Sequence, residues 1–141
     1  MRAVLDTGIL LAALMTSGTP PDLIYRTWRK KSFELVTSEW QLEELRRVSR
    51  YPRVRKYLKP AEAGTLMNGL RQQASVLREL PNVELSADPD DNPILATAIA
   101  GGVGYLVTGD KRGLLALGRV EAVEIITARR FADLLGVSPA D

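Results

Sequence analysis

The chain has 141 residues, with 19 basic and 17 acidic side chains, a formal net charge of +2, and neither histidine nor cysteine. That length makes about one domain, residues 1–141, with enough chain to bury a core. The missing residue types exclude Ser-His-Asp and Cys-His catalysis, imidazole proton transfer and any disulfide.

Ala3-Val4-Leu5 reads as a buried strand ending at Asp6-Thr7, and the apolar residues 9–15 as the helix after it, so Asp6 stands at a strand-to-helix junction. Ser17-Gly18-Thr19-Pro20-Pro21 is a loop that opens a second helix with proline in its first turn, and Leu23, Ile24, Thr27 and Trp28 follow at helical spacing. Residues 33–36 predict a second strand. Ser38 is the expected N-cap of the next helix, with Glu39 in its first turn. Pro52 and Pro60 punctuate a basic stretch, and one long helix is expected from 61 to about 80, broken by Pro81-Asn82. A short strand is expected at 83–85. Asp88-Pro89-Asp90-Asp91-Asn92-Pro93 leads into a helix with Asn92 as N-cap and Pro93 at its first position, ended by Gly101-Gly102. Residues 105–108 form a buried strand that Gly109-Asp110 leaves. Residues 114–117 predict a short helix, 123–126 a last strand and 128–135 a closing helix. No repeat, low-complexity tract or linker interrupts the chain. No signal-peptide pattern follows Arg2, and no apolar run approaches the roughly 18 residues of a membrane span, which suits a cytoplasmic protein.

Alternating strands and helices, with several strands almost wholly apolar, predict an α/β fold whose parallel sheet is covered on both faces. Such sheets bind ligands beyond the carboxyl ends of their strands. Asp6 and Asp110 each follow a strand directly. A crossover helix runs antiparallel to its strands, so the one starting near Pro93 begins on that same edge, and Asp91 with it. Taken singly, each acid has a plainer role: Asp6 as a helix N-cap, Asp88 and Asp91 as turn formers, Asp110 as a turn residue. Their convergence on one edge is what favours a shared one.

Glu44 is the fourth acid. Trp40, Glu44 and Val48 form an i, i+4, i+8 line with Leu45 beside it on the apolar face, while Glu39, Glu43, Arg46, Arg47 and Arg50 occupy the other side. Glu43 is then expected to pair with Arg47. Glu44 is expected to face a metal or a basic partner, because an unpaired inward carboxylate is costly. Gathered carboxylates repel one another unless a divalent cation joins them. Without histidine or cysteine, the fitting ions are the oxygen-ligated Mg²⁺ or Mn²⁺ rather than Zn²⁺. Thr7, Ser38 and Thr108 are expected as supporting or capping hydroxyls, and Lys111 as a group that approaches a phosphate or pairs with an acid.

Val4-Leu5-Asp6-Thr7, the helix around Glu44-Leu45, Asp88-Pro89-Asp90-Asp91-Asn92 and Val107-Thr108-Gly109-Asp110-Lys111 occur in this order over essentially the whole chain. Together they resemble the PIN-domain family, in particular its bacterial branch of toxins from toxin–antitoxin pairs. The resemblance implies a three-layer α/β/α sandwich with a mostly parallel sheet of about five strands. It also implies a Mg²⁺- or Mn²⁺-dependent ribonuclease acting on single-stranded RNA, with Asp6, Glu44, Asp91 and Asp110 as the catalytic, metal-binding set. A cognate antitoxin protein that covers or invades the site, and a homodimer, follow from the same likeness. Two departures stand out. Gly8 replaces the asparagine usual after Asp-Thr, and Lys111-Arg112-Gly113 stands where many members carry a further aspartate. Both point to the alternative, a catalytically weak or inactive PIN-like module that binds RNA or a protein partner.

Other phosphate chemistries fit less well. A phospho-accepting receiver domain wants an acidic pair on its first strand, and a haloacid-dehalogenase-like phosphatase wants a second aspartate where Gly8 stands. Arg46, Arg47, Arg50, Arg53, Arg55, Lys56 and Lys59 have no acid among them, whereas 79–91 is acidic. A basic flank beside an acidic cluster draws a polyanion, and Tyr51 and Tyr57 would stack on its bases. The plainer alternative is a solvated helix face with the tyrosines packed between helices. Leu10, Leu11, Leu14 and Met15 suit a core or an interface equally.

Overall fold

The structure is a computed structural model that describes residues 1–110 and 112–137. It begins with β1 (Arg2–Leu5), α1 (Thr7–Met15) and α2 (Pro20–Arg29), followed by β2 (Glu34–Ser38), α3 (Glu39–Val48), α4 (Pro52–Arg55), α5 (Pro60–Gln73) and β3 (Ser75–Leu77). After an irregular segment come a 3₁₀ turn (Pro89–Asp91), α6 (Asn92–Ala100), β4 (Tyr105–Val107), α7 (Leu114–Leu117), β5 (Arg119–Val120), β6 (Val123–Ile126) and α8 (Ala128–Leu135). The strands form one sheet in the order β3-β2-β1-β4-β6-β5. All neighbours run parallel except the two-residue edge strand β5, which is antiparallel to β6. The sheet thus has the expected mostly parallel core of five strands with β5 added. No helix among the described residues is long and apolar enough to cross a membrane.

Side chains alternate across a strand, and here both faces are covered. Ala3, Leu5, Leu35, Val107 and Ile126 point into one core with Leu10 of α1, Ile24 and Trp28 of α2, Leu42 and Leu45 of α3, Leu66 of α5 and Phe131 of α8. Val4, Val36, Leu106 and Ile125 point the other way, onto Ile94, Leu95 and Ala98 of α6 and Leu114 of α7. The result is the three-layer α/β/α sandwich. Phe131 fixes α8 to the first core, edge-on to Phe33 with ring centroids 5.2 Å apart. Leu10 and Leu11 are buried in this core, and Leu14 and Met15 pack against it.

Several local expectations need correction. The helix expected over 61–80 stops at Gln73, and the third strand is Ser75–Leu77 rather than 83–85, which is irregular. Ladder pairing of Thr37 with Val76 overrides helical propensity there. Pro52, expected only to punctuate, opens the one-turn helix α4. Asn92 does not cap α6. Its Oδ1 accepts the N–H groups of Leu85 and Ser86 at 3.1 and 2.9 Å, tying the irregular segment to the helix start. Glu43 pairs with Arg46 rather than Arg47, because Arg47 leans to Glu44 instead. Tyr51 and Tyr57, rather than packing between helices, are exposed.

Gly101 ends α6 as expected, for a reason beyond helix capping. A Cβ there would lie 2.6 Å from Val36 Cγ1 and 2.9 Å from the Thr97 carbonyl oxygen, so α6 sits on β2 at a distance only glycine allows. Gly101→Ala is therefore expected to destabilise the fold by roughly 1–3 kcal/mol, the usual cost of overpacking a filled core, read as a lower urea midpoint.

Candidate active site

Strand order reverses between β1 and β4, since the chain steps outward from β1 to β2 and β3 before returning to β4 on the other side. Open α/β sheets bind ligands in the crevice beyond the strand ends at such a reversal. Asp6 and Asp110 follow these two strands. The Asp6 N–H donates to the Val107 carbonyl at 2.9 Å, carrying the β1–β4 ladder up to the acid itself. Its Oδ1 accepts the Thr7 N–H at 2.8 Å, which caps α1, and its Oδ2 accepts the Thr108 hydroxyl at 2.8 Å. Buried Thr108 also accepts the Asp110 N–H at 3.1 Å, so its single proton is committed to Asp6. Asp110 in turn accepts the N–H groups of Gly113 at 3.1 Å and Leu114 at 3.4 Å, holding the turn ahead of α7.

The other two acids come from helices. Glu44, half-buried on α3, accepts a hydrogen bond from the Thr7 hydroxyl, and Arg47 lies 4.0 Å from its Oε2. That is the one ion pair made by any of the four acids among the described residues. Asp91 ends the 3₁₀ turn before α6, with the Ser86 hydroxyl 3.5 Å from its Oδ2. A Cβ built on Gly113 would lie 2.2 Å from Asp110 Oδ2 and 2.9 Å from Asp91 Oδ2, so these two carboxylates reach toward one point that a side chain would fill. The backbone N–H of Gly113, meanwhile, is one of the donors that hold Asp110.

Electrostatics record the crowding. Burial pushes the Asp6 carboxyl above its ordinary range and the charge of Asp110 adds to this, while the hydrogen bonds from Thr108 and Thr7 pull the other way. Glu44 is raised by burial, with Asp6 and Asp90 adding, against the Thr7 hydrogen bond and Arg47. Asp91 is raised by burial and then by Asp110, Asp88 and Asp6, with only Ser86 opposing.

Some supporting residues escaped the sequence reading. Gln41 is fully buried, accepts the Thr37 hydroxyl at 2.5 Å and donates to the Leu5 carbonyl at 2.7 Å, joining α3 to the end of β1 just before Asp6. The pattern Ser38-x-x-Gln41 is a capping-box signature that flags this glutamine, although its side chain serves the strand instead of the helix end. Ser38 does cap α3, accepting the Gln41 N–H at 3.2 Å, and it also accepts the Thr97 hydroxyl at 3.1 Å, linking α3 to α6. Thr7 and Thr108 take the supporting roles expected of them. Lys111 lies outside the described residues.

A family model described as PIN domain matches residues 2–112. The chain belongs to the PIN-domain family. No curated protein and no solved structure matches it. PIN domains are generally nucleases and typically use divalent cations.

This PIN domain offers such a cation a particular donor set. Among the described residues, no three acidic side chains stand close enough together to hold an ion as they are placed. The convergence beside Gly113 involves two carboxylates, Asp91 and Asp110. Mg²⁺ is commonly bound by one or two carboxylates while keeping several waters, and all four donors are hard oxygens, so the residues fit an ion of this class.

In the folded chain Asp91 holds its proton to a higher pH than in the unfolded chain, so its ionisation lowers stability. That cost is absent below the ordinary carboxylate pKa of about 4, grows as pH rises through the raised value, and is constant above it. Asp91→Asn removes it. In EDTA the variant is expected to melt above the wild type at neutral pH, with the gap closing as pH falls toward about 4.

Proposed function

We propose that the protein is a metal-dependent endoribonuclease that cuts single-stranded RNA, using Asp6, Glu44, Asp91 and Asp110. The observation that carries this reading is the convergence of Asp91 and Asp110 beside Gly113 at the strand-order reversal, with Asp6 and Glu44 tied to Thr7 next to it. Asp91 and Asp110 would hold Mg²⁺ or Mn²⁺ directly, with Asp6 and Glu44 reaching it through water. The ion supplies Lewis-acid polarisation of the scissile phosphate and a water of lowered pKa. The chain's own residues do the positioning. Thr108 and the Thr7 N–H each occupy one lone pair of an Asp6 oxygen and leave the others free to accept. Thr7 orients Glu44, and the N–H groups of Gly113 and Leu114 orient Asp110.

The basic segment supports a polyanionic substrate. Arg46, Arg47, Arg50, Arg53, Arg55, Lys56 and Lys59 are all exposed, and Arg47 links this surface to Glu44. Tyr51 and Tyr57 are exposed beside them, as stacking on bases requires. The order and spacing of the acidic motifs support a toxin role, in which a cognate antitoxin covers the carboxylate edge of a homodimer.

Labelled single-stranded RNA incubated with Mn²⁺, Mg²⁺ or EDTA tests the reading. Cutting is expected with either ion and not with EDTA. Loss of Asp91, a direct ligand, is expected to cost more than the roughly 10–100-fold typical of a partner one shell further out, so Asp91→Asn should nearly abolish cutting and Asp6→Asn should lower it by roughly 10–100-fold. Cutting that survives both substitutions would contradict the assignment.

One observation favours a second reading, an inactive module that binds RNA or a protein. Gly8 sits two residues after Asp6 with nothing within 4 Å of a Cβ built on it, so space for a polar side chain exists and is not used. A folded wild type that binds Mn²⁺ without cutting, and gains cutting in Gly8→Asn, would establish it.

A further inference from the structure

The irregular segment between β3 and the 3₁₀ turn leaves a cleft of about 600 Å³ against α3 and the start of α6. One wall is Trp40 of α3, and Pro81, Val83 and Pro93 supply much of the rest. Trp40 is only half-buried, unlike the other tryptophan, Trp28, which is 1% exposed. No acceptor among the described residues takes the Trp40 indole N–H.

The cleft adjoins the carboxylate site at Ser86, which lines it and also lines the neighbouring cleft of about 410 Å³ that contains Asp91 and Asp110. A polymer held at those two acids through a cation would pass Ser86 to enter it. The lining also says which part of the polymer enters. Among the described residues it contains no lysine or arginine, and its one charged side chain is Glu84, so a phosphate is repelled. A flat, neutral, aromatic unit is not. Among the described residues the Asn92 amide nitrogen has no partner, its oxygen being taken by Leu85 and Ser86, and together with Glu84 it offers a donor and an acceptor to a base edge.

The geometry points to a base-binding subsite in which one unpaired nucleobase, next to a phosphate that a cation at Asp91 and Asp110 would hold, stacks on Trp40. This rests on the nuclease reading for its substrate class, but its test does not require cleavage. Aromatic stacking tolerates any base and recurs wherever single strands are gripped.

Because Trp28 is buried, quenching of tryptophan emission by acrylamide reports on Trp40. The probe is a short single-stranded RNA in the presence of Ca²⁺, whose charge at the carboxylates lets a phosphate approach, compared with an oligonucleotide of equal length and charge that lacks bases. RNA is expected to shield Trp40 from acrylamide and the abasic strand is not. Trp40→Ala is expected to weaken RNA binding by roughly tenfold to a hundredfold while leaving its salt dependence, set by phosphate contacts, unchanged. Trp40→Phe should keep most of the affinity, which separates lost stacking from a damaged fold. RNA that binds while Trp40 stays as accessible as in the free protein would overturn the proposal, as would no RNA binding at all or equal shielding by the abasic strand. Shielding of Trp40 by an added protein or peptide but not by RNA would overturn it too, and would assign the cleft to a protein partner. If Trp40 is shielded but no metal-dependent cutting occurs, the subsite stands and the nuclease reading falls.

Discussion

Carboxylates that repel one another are held side by side at one end of this sheet by neutral donors. Asp6 sits between the Thr7 N–H and the Thr108 hydroxyl, Glu44 on the Thr7 hydroxyl, and Asp110 on two backbone N–H groups. None of these donors carries a full charge, so each fixes direction without cancelling the field. Burial first, and then the charges of neighbouring acids, raise the pKa of Asp6, Glu44 and Asp91. A fold carries such a cluster when its apolar layers more than offset the cost. Here two cores close on opposite faces of the sheet, and the acids lie where the strand ends leave both.

How much of this was legible in the chain follows from which forces are local. β1, β2, β4 and β6 are short apolar runs that must be buried on both faces, so their existence and parallel arrangement could be read directly, and with them the positions of Asp6 and Asp110. The inward direction of Glu44 followed from helical period. β3 was not readable, because Ser75-Val76-Leu77 continues a helical pattern and becomes a strand only through pairing with β2. Asn92 looked like a cap because capping is its commonest local use, whereas its partners lie six and seven residues upstream. Spacing flags Gln41 only as a capping-box residue, and its contact with β1, like that of Gly113 with two distant acids, depends on tertiary packing.

Two surfaces of opposite character meet at Glu44. α3 carries Trp40 toward the cleft and Arg46, Arg47 and Arg50 toward solvent. The chain lacks histidine, so an acid–base step would draw on a carboxylate, a tyrosine, an amine or water. Phosphodiester hydrolysis through a bound cation needs no histidine.

The central claim is that these four acids act as one cation site. Calorimetric titration of Mn²⁺ into the purified protein tests it most directly, with Glu44→Gln and Asp110→Asn alongside. The account predicts binding in the wild type that weakens by at least about tenfold in each variant. A wild type that takes up no Mn²⁺, or variants that bind it as tightly as the wild type, would contradict it.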